Sequence, residues 1–310
     1  MDFRTGDNNW RVQECELVNG VCMSCDLVSA IITTHNRVDL LPRAIDSVLS
    51  QSYSNIECVV VDDASDDDTM SYCQQRQDIV YVRLEKENSR GGNHARNVGI
   101  GVAKGELIAF LDDDDYWLPD KIKKQVEIMD VHPDRMVYCR RKIEIVDGES
   151  VDYMDDYLCE KNKGDMRNRI LYTFPTVTSC ILLSRDAIEK IGCFDENLRF
   201  WQESEMLIRL AQHVDFCYVD EPLVVYRLDK SDGSRLSNKF FEWRKSVEYI
   251  KNKHSELYDR LSCKEKLLVL SHVYSDAANR AKACGLTFRY VLYSVMLLPL
   301  RVVRKIDTIL

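Results

Sequence analysis

The chain has 310 residues, 45% of them hydrophobic, enough to bury a full core and to carry an appendage beside one catalytic domain. Its net charge of −9 is unevenly spread: from Lys239 onward fourteen Lys and Arg face seven Asp and Glu, so that stretch is +7 and the remainder −16. This division suggests a body suited to metal chemistry and a tail that meets something anionic; nucleic acid is not expected, because the basic residues are scattered over helical segments without a recognition motif.

Residues 1–26 read as an irregular extension, and the polar start (Arg4, Asp7, Asn8, Asn9, Arg11) carries no secretory pattern. The twelve cysteines fall at irregular spacings and are expected to be reduced cytosolic thiols. Cys22 and Cys25, with Cys15 upstream, form a C-x-x-C pair that resembles half of a zinc site, but no second pair stands at finger-like spacing. From Val28 the pattern becomes regular. Val28 to Thr33 is a β-branched strand, and Leu41, Ala44, Ile45, Val48 and Leu49 mark one face of a helix. Glu57 to Val61 is the next strand and stops at Asp62-Asp63. A helix over Thr69 to Gln77, a strand at Ile79 to Leu84, a helix at Asn93 to Ala103 and a strand at Leu107 to Leu111 continue the alternation. This rhythm predicts a parallel sheet with helices on both faces, whose ligands bind beyond the carboxyl ends of the strands. The polar clusters Thr33-Thr34-His35-Asn36, Asp62-Asp63 and Asp112 to Asp115 all lie at such ends.

In the aspartate run an extended chain would bring Asp112 and Asp114 to one face and turn Asp113 away. Two carboxylates so close repel by roughly 4 kcal/mol at a surface-like dielectric unless a cation or proton lies between them. Oxygen ligands favour magnesium or manganese, which usually hold substrate phosphates as well. The alternative is a solvated acidic turn capping a helix that begins at Pro119, with Asp115 as the cap. The pair Gly91-Gly92 suits a phosphate-approach loop or a plain turn.

The strings Ser29-Ala-Ile-Ile-Thr-Thr-His-Asn-Arg37, Val59-Val-Val-Asp-Asp-Ala-Ser65, Ala95-Arg-Asn97 and Gly105-Glu-Leu-Ile-Ala-Phe-Leu-Asp112, with the aspartate run, resemble the family-2 inverting glycosyltransferases over about Val28 to Arg227. The resemblance implies an α/β GT-A fold, the Rossmann-like nucleotide-diphospho-sugar transferase architecture, with a helical C-terminal appendage. It implies a UDP-sugar donor, with Thr33 at the nucleotide pocket floor, Asn36 and Arg96 nearby, Asp63 on the uracil edge and Asp113 on the ribose. Asp114, with Asp112, would ligate Mn2+ or Mg2+. Alternatives are a strand end for Thr33, an Asx-turn with Ser65 for Asp63 and a helix-surface charge for Arg96.

Ile191-Gly-Cys-Phe-Asp-Glu196 and Phe200-Trp-Gln-Glu-Ser-Glu-Met-Leu-Ile-Arg-Leu210 resemble the acceptor-side segment of the same family, where an acidic pair opens a helix. Gln202 and Glu203 stand where Glu-Asp is common, so Glu203 falls on the base position, one methylene longer than the usual residue. Glu205 is the runner-up. The alternative for Glu203 is a carboxylate answering the helix macrodipole. Trp201 either stacks on an acceptor sugar or packs in the core. Domains are expected at 27–230 (27–118 for the nucleotide-sugar, 119–230 for the acceptor) and 238–310.

Ser231, Gly233, Ser234 and Ser237 suggest a mobile loop over the donor. The most apolar stretch, Val291 to Leu300, is about ten residues long with Pro299 inside it, where a membrane span needs about twenty. Tyr290 to Ile306 instead mixes apolar residues with Arg289, Arg301, Arg304 and Lys305, as an interfacial helix pair on anionic lipid does. A C-terminal helix packed on the domain or in a homodimer is the alternative. A membrane-facing tail implies a lipid-linked acceptor. Within the family this combination resembles bacterial O-antigen β-1,3-glucosyl- and galactosyltransferases acting on GlcNAc-diphosphoundecaprenol, peripheral on the inner face of the inner membrane, with glucose favoured over galactose. A nucleotidyltransferase is the rival, but it should carry a glycine-rich basic loop after the first strand, and Thr33-Thr-His-Asn-Arg-Val38 has no glycine.

Overall fold

The computed structural model describes residues 26–156, 159–230 and 239–309, apart from some side chains at the end of the last helix, together with the backbone of two short strands, β1 (Leu17–Val18) and β2 (Val21–Cys22). Cys15 and Cys25, and the loop over residues 231–237, lie outside the described residues, as does the side chain of Cys22. Among the cysteines that are described all are free thiols.

A nine-stranded sheet organises the body. Its first half is parallel, in the order β5 (Val80–Arg83), β4 (Ile56–Asp62), β3 (Val28–Thr34), β6 (Leu107–Asp112). The register sets Thr33 beside Val61 and Asp112, so three strand ends open at one level. Strands β3 and β6 are central, and nearly every side chain in them is buried; each buried Ile or Leu there is worth about 2 kcal/mol over an exposed one. Helices α1 (Leu41–Leu49) and α3 (Gly92–Val102) pack on opposite faces, in two separate apolar clusters. At Gly99 any Cβ would drive into Ile31, so α3 lies directly on β3.

The second half departs from the expected parallel sheet. Strand β10 (Ile181–Ser184) runs antiparallel to both β6 and β8 (Arg135–Asp147), β8 pairs in parallel with β11 (Asp215–Asp229), and β7 (Tyr116–Trp117) and β9 (Ser150–Asp155) add antiparallel edges. Apolar periodicity carries no strand direction, so this reversal left no mark in the hydrophobic pattern. Helix α2 is shorter than expected, spanning Thr69–Gln74, and α4 (Lys121–Val131) starts two residues past Pro119.

After α5 (Arg185–Lys190), helix α6 (Gln202–Leu210) brings the acceptor-side segment to the strand ends. The C-terminal part is helical throughout: α7 (Phe240–Lys253), α8 (Ser255–Arg260), α9 (Cys263–Ala283) and α10 (Thr287–Ile309). A capping box between Ser262 and Glu265 starts α9. Phe200, Phe240, Trp243, Ala277 and Ala281 form a third buried cluster that fastens α7 and α9 to the segment leading into α6. The expected interfacial pair within Tyr290 to Ile306 is one helix, α10, which packs against α9 and leaves Phe288, Val291, Leu292, Val295 and Leu298 exposed. Among the described residues no helix is long and apolar enough to cross a membrane.

Candidate active site

The strand ends of β3, β4 and β6 open into a cleft of about 1390 Å3, larger than a site for one drug-sized ligand and roomy enough for two substrates. Thr33, Asn36, Asp63, Arg96, Asp112, Asp113, Asp114, Trp201 and Glu203 all line it. Glu205 does not.

On the β4 side, Asp63 is nearly buried. Its Oδ2 accepts the Gly91 N–H at 3.0 Å, while Oδ1 is buried with no partner among the described residues. Gly91 has φ +90, a conformation natural to glycine, and that turn aims its N–H at Asp63. A buried acceptor without a donor costs about 1–3 kcal/mol, so Asp63 presents a lone pair suited to an imide N–H or a hydroxyl. The Ser65 N–H is bound instead by Asp62, three residues back, whose Oδ1 accepts it at 2.8 Å. Asn36 has left-handed backbone (φ 54) and ties two strand-end loops together: its N–H donates to Ser65 Oγ and its Oδ1 accepts from the Asp66 N–H. Its side chain is thus committed to shaping the rim.

The four aspartates divide. Asp112 and Asp114 keep 33% and 24% of their side-chain surface, whereas Asp113 is nearly buried and Asp115 wholly so. Asp112 Oδ1 pairs with Arg96 Nη2 at 2.6 Å, and Arg37 Nη1 bridges Asp113 Oδ1 (2.8 Å) and Asp114 Oδ2 (3.1 Å). Burial pushes the Asp113 carboxyl up, and Arg37 opposes it. Asp115 caps no helix, contrary to the turn reading. It accepts Ser179 Oγ–H at 2.6 Å and the Arg227 N–H at 2.9 Å, fastening β6 to the 179 turn and to β11. Burial, then the neighbouring Asp114 and Asp112 charges, raise its pKa well above the usual range.

For a divalent ion the donor set fits in part. Asp112 and Asp114 offer hard oxygens open to the cleft, and a hard ion of this kind takes its remaining ligands from water and phosphate. Among the described residues no three His, Cys, Asp or Glu side chains converge on one point, so the protein alone does not complete a cage.

Arg96 is not a surface charge. It is buried to 7% exposure, sits over the Phe194 ring, and donates to both Asp112 and Gln202 Oε1 (2.9 Å). One guanidinium therefore joins the end of β6 to the first residue of α6. Next to Gln202, Glu203 is half-buried; among the described residues no cation pairs with it. Burial raises its pKa, Arg96 and Arg141 pull it down and Asp112 pushes it up, leaving it above the ordinary glutamate value. A carboxylate so placed can take a proton from a hydroxyl in the cleft.

Glu205 is corrected as a candidate base. It is fully buried, bound by Arg209 (2.6 Å), Lys253 (2.8 Å) and His254 (3.0 Å). Burial alone would raise its pKa, but hydrogen bonds from His254 and Arg209 outweigh that and hold it at about 2. Such a saturated anion accepts no further proton and serves to fix α6 against α7. Trp201, with left-handed backbone (φ 54), lines the cleft while its Nε1–H donates to Asp276 Oδ2 at 2.9 Å; its ring lies 5.4 Å from His272 and 6.0 Å from Trp243. Sequence reasoning missed the wall that α9 supplies, with His272, Ser275, Asp276 and Asn279. Their i, i+3, i+4, i+7 spacing was the available signal.

An open α/β sheet whose acidic strand ends and a helix-borne carboxylate line one cleft is the GT-A architecture of sugar-nucleotide transferases. Residues 29–192 match Glycosyl transferase family 2, and the chain belongs to that family. It is 38% identical over 119 residues to the Escherichia coli UDP-Glc:alpha-D-GlcNAc-diphosphoundecaprenol beta-1,3-glucosyltransferase WfaP, covering 38% of this chain and 47% of that protein. A Haemophilus influenzae uncharacterized glycosyltransferase is 26% identical over 228 residues, covering 73% of this chain and 76% of the other. The chain thus spans about half the length of the first relative and about three quarters of the second. The fold matches S. aureus TarS 1-349 in complex with UDP, with a TM-score of 0.54, 18% identity and coverage of 91% and 88%.

Proposed function

We propose that this glycosyltransferase moves a hexose, glucose in the first instance, from a UDP-sugar in β-1,3 linkage onto a lipid-linked GlcNAc-diphosphate during O-antigen assembly. The observation that carries the reading is the Arg96 bridge. It ties the acidic end of β6 to the start of α6, which bears Glu203, within one cleft. Asp63, with its free buried Oδ1, suits the N–H of a uracil edge. The sugar and linkage follow those in the name of the E. coli relative.

In this reading the Glu203 carboxylate takes the proton of the acceptor hydroxyl as that oxygen attacks the anomeric carbon. The bond from that carbon to the diphosphate breaks on the opposite face, so configuration inverts. Arg37 and Arg96 hold Asp112 to Asp114 in place beneath the departing diphosphate. Asp114 with Asp112 would hold Mg2+ or Mn2+, which supplies Lewis-acid stabilisation of the charge that gathers there.

The test is incubation with a panel of UDP-sugars, manganese and a GlcNAc-diphosphate-lipid analogue, with mass and linkage analysis of products. Transfer from UDP-glucose in β-1,3 linkage is the expected result, and Glu203→Gln should lower it by about 10²-fold or more while UDP binding persists. Transfer from no donor overturns the substrate reading. Undiminished turnover by Glu203→Gln removes Glu203 as base.

A further inference from the structure

Helix α9 contributes an inner face to the cleft that neither the family match, which ends at residue 192, nor the chemistry above uses. His272, Ser275, Asp276 and Asn279 share one stripe of that helix and all line the cavity. Asp276 is engaged, accepting from Trp201 Nε1 and from Arg280 Nε at 3.0 Å. Ser275 and Asn279 differ: among the described residues their side chains make no hydrogen bond, although both border the cleft and Ser275 is partly buried. Among the described residues, Arg280 has a buried Nη1 with no hydrogen-bond partner, beside the same stripe. Trp201 joins this wall to Glu203, two residues further on, so the stripe lies on the Glu203 side of the cleft.

We propose that Ser275 and Asn279 of α9 are a sugar-binding subsite for the acceptor, recognising hydroxyl or acetamido groups of its saccharide, and that Asp276 is a positioning residue for Trp201. This rests on the transferase reading above. The chemistry suits a neutral sugar: a hydroxyl and a carboxamide supply both donors and acceptors without charge, and the Trp201 and His272 rings, tilted 38° to each other, offer an aromatic margin. In that reading the strand ends hold the diphosphate and base, which leaves these groups to the acceptor.

The experiment uses the full chain and a water-soluble GlcNAc-diphosphate-alkyl acceptor analogue, and it separates binding from turnover. Ligand-observed NMR with UDP present should detect the analogue on the parent protein. Ser275→Ala/Asn279→Ala should weaken that binding, and raise the acceptor KM, by about tenfold, with the UDP Kd and donor KM unchanged within twofold. Asp276→Asn should lower kcat more than it raises the acceptor KM. An analogue affinity within twofold of the parent in the double variant overturns the subsite, as does a parent that does not bind the analogue. Failure of the transferase reading looks different: the parent binds the analogue, the double variant loses it, and no sugar is transferred.

Discussion

At the scale of single residues, the cleft sorts its carboxylates by what surrounds them. Asp112 and Asp114 are open but cation-paired, Asp113 and Asp115 are buried structural carboxyls, Glu205 is saturated, and Glu203 alone combines partial burial, no ion pair and a raised pKa. The sequence marked the acidic positions plainly, because a run of four aspartates at a strand end is conspicuous. It did not distinguish Glu203 from Glu205, which are two residues apart on one helix; Arg209 one turn on, and His254 and Lys253 about fifty residues later in the chain, make the difference. The raised pKa of Glu203 has a kinetic consequence. The base works as the carboxylate, so kcat/KM should rise with unit slope as pH increases through its pKa and then level off. Its acid limb should lie above the ordinary glutamate value of 4.5. A pH–rate profile that is flat down to pH 4.5 would remove Glu203 from this role.

Elements show where pattern reading works and where it stops. Strands β3 and β6 and helices α1 and α3 were legible because their burial is continuous or one-faced. The antiparallel β10 and the exact start of α4 were not, because direction and cap geometry depend on distant partners. Helix α4 carries a clear instance in Lys121, fully buried, with Nζ over the Trp117 ring at 4.0 Å and donating to Gln125 Oε1 at 2.7 Å. Burial lowers its pKa to about 8, against 10.5 in an unfolded chain. The unfolded state therefore holds the extra proton between these values, and stability should rise with pH from about 8 to about 10.5. Below pH 8 the cost is fully present, on the order of 3 kcal/mol. Lys121→Met should accordingly raise the melting temperature at pH 7, with the gain shrinking above pH 8. Scanning calorimetry at pH 7 and pH 10 measures this, and a gain that does not shrink with pH contradicts it.

For the molecule as a whole, the division of charge seen in the sequence becomes spatial. The acidic body forms the sheet and the cleft, and the basic stretch forms α7 to α10. Along α10, Phe288, Val291, Leu292, Val295 and Leu298 are exposed in a helix that also bears Arg289 and Arg301, a composition suited to an anionic bilayer surface. Binding to vesicles containing phosphatidylglycerol is expected in flotation, weaker on neutral vesicles and in high salt, and reduced by Val291→Ser/Val295→Ser. Equal flotation of that variant and the parent would point to another role for this face. The overall fold was legible because the parallel half alone has the alternation that defines it; the C-terminal part was legible only as basic and helical, since its contact with the cleft runs through Trp201, Asp276 and the small Ala277–Ala281 surface. That contact gives the chain a modular build. The family segment ends at residue 192, yet the cleft is closed by a helix beginning at Cys263. Exchange of the C-terminal helices between relatives, with the indole–carboxylate link retained, would then alter which glycan is extended while the nucleotide half stays as it is, a route by which one scaffold diversifies its products.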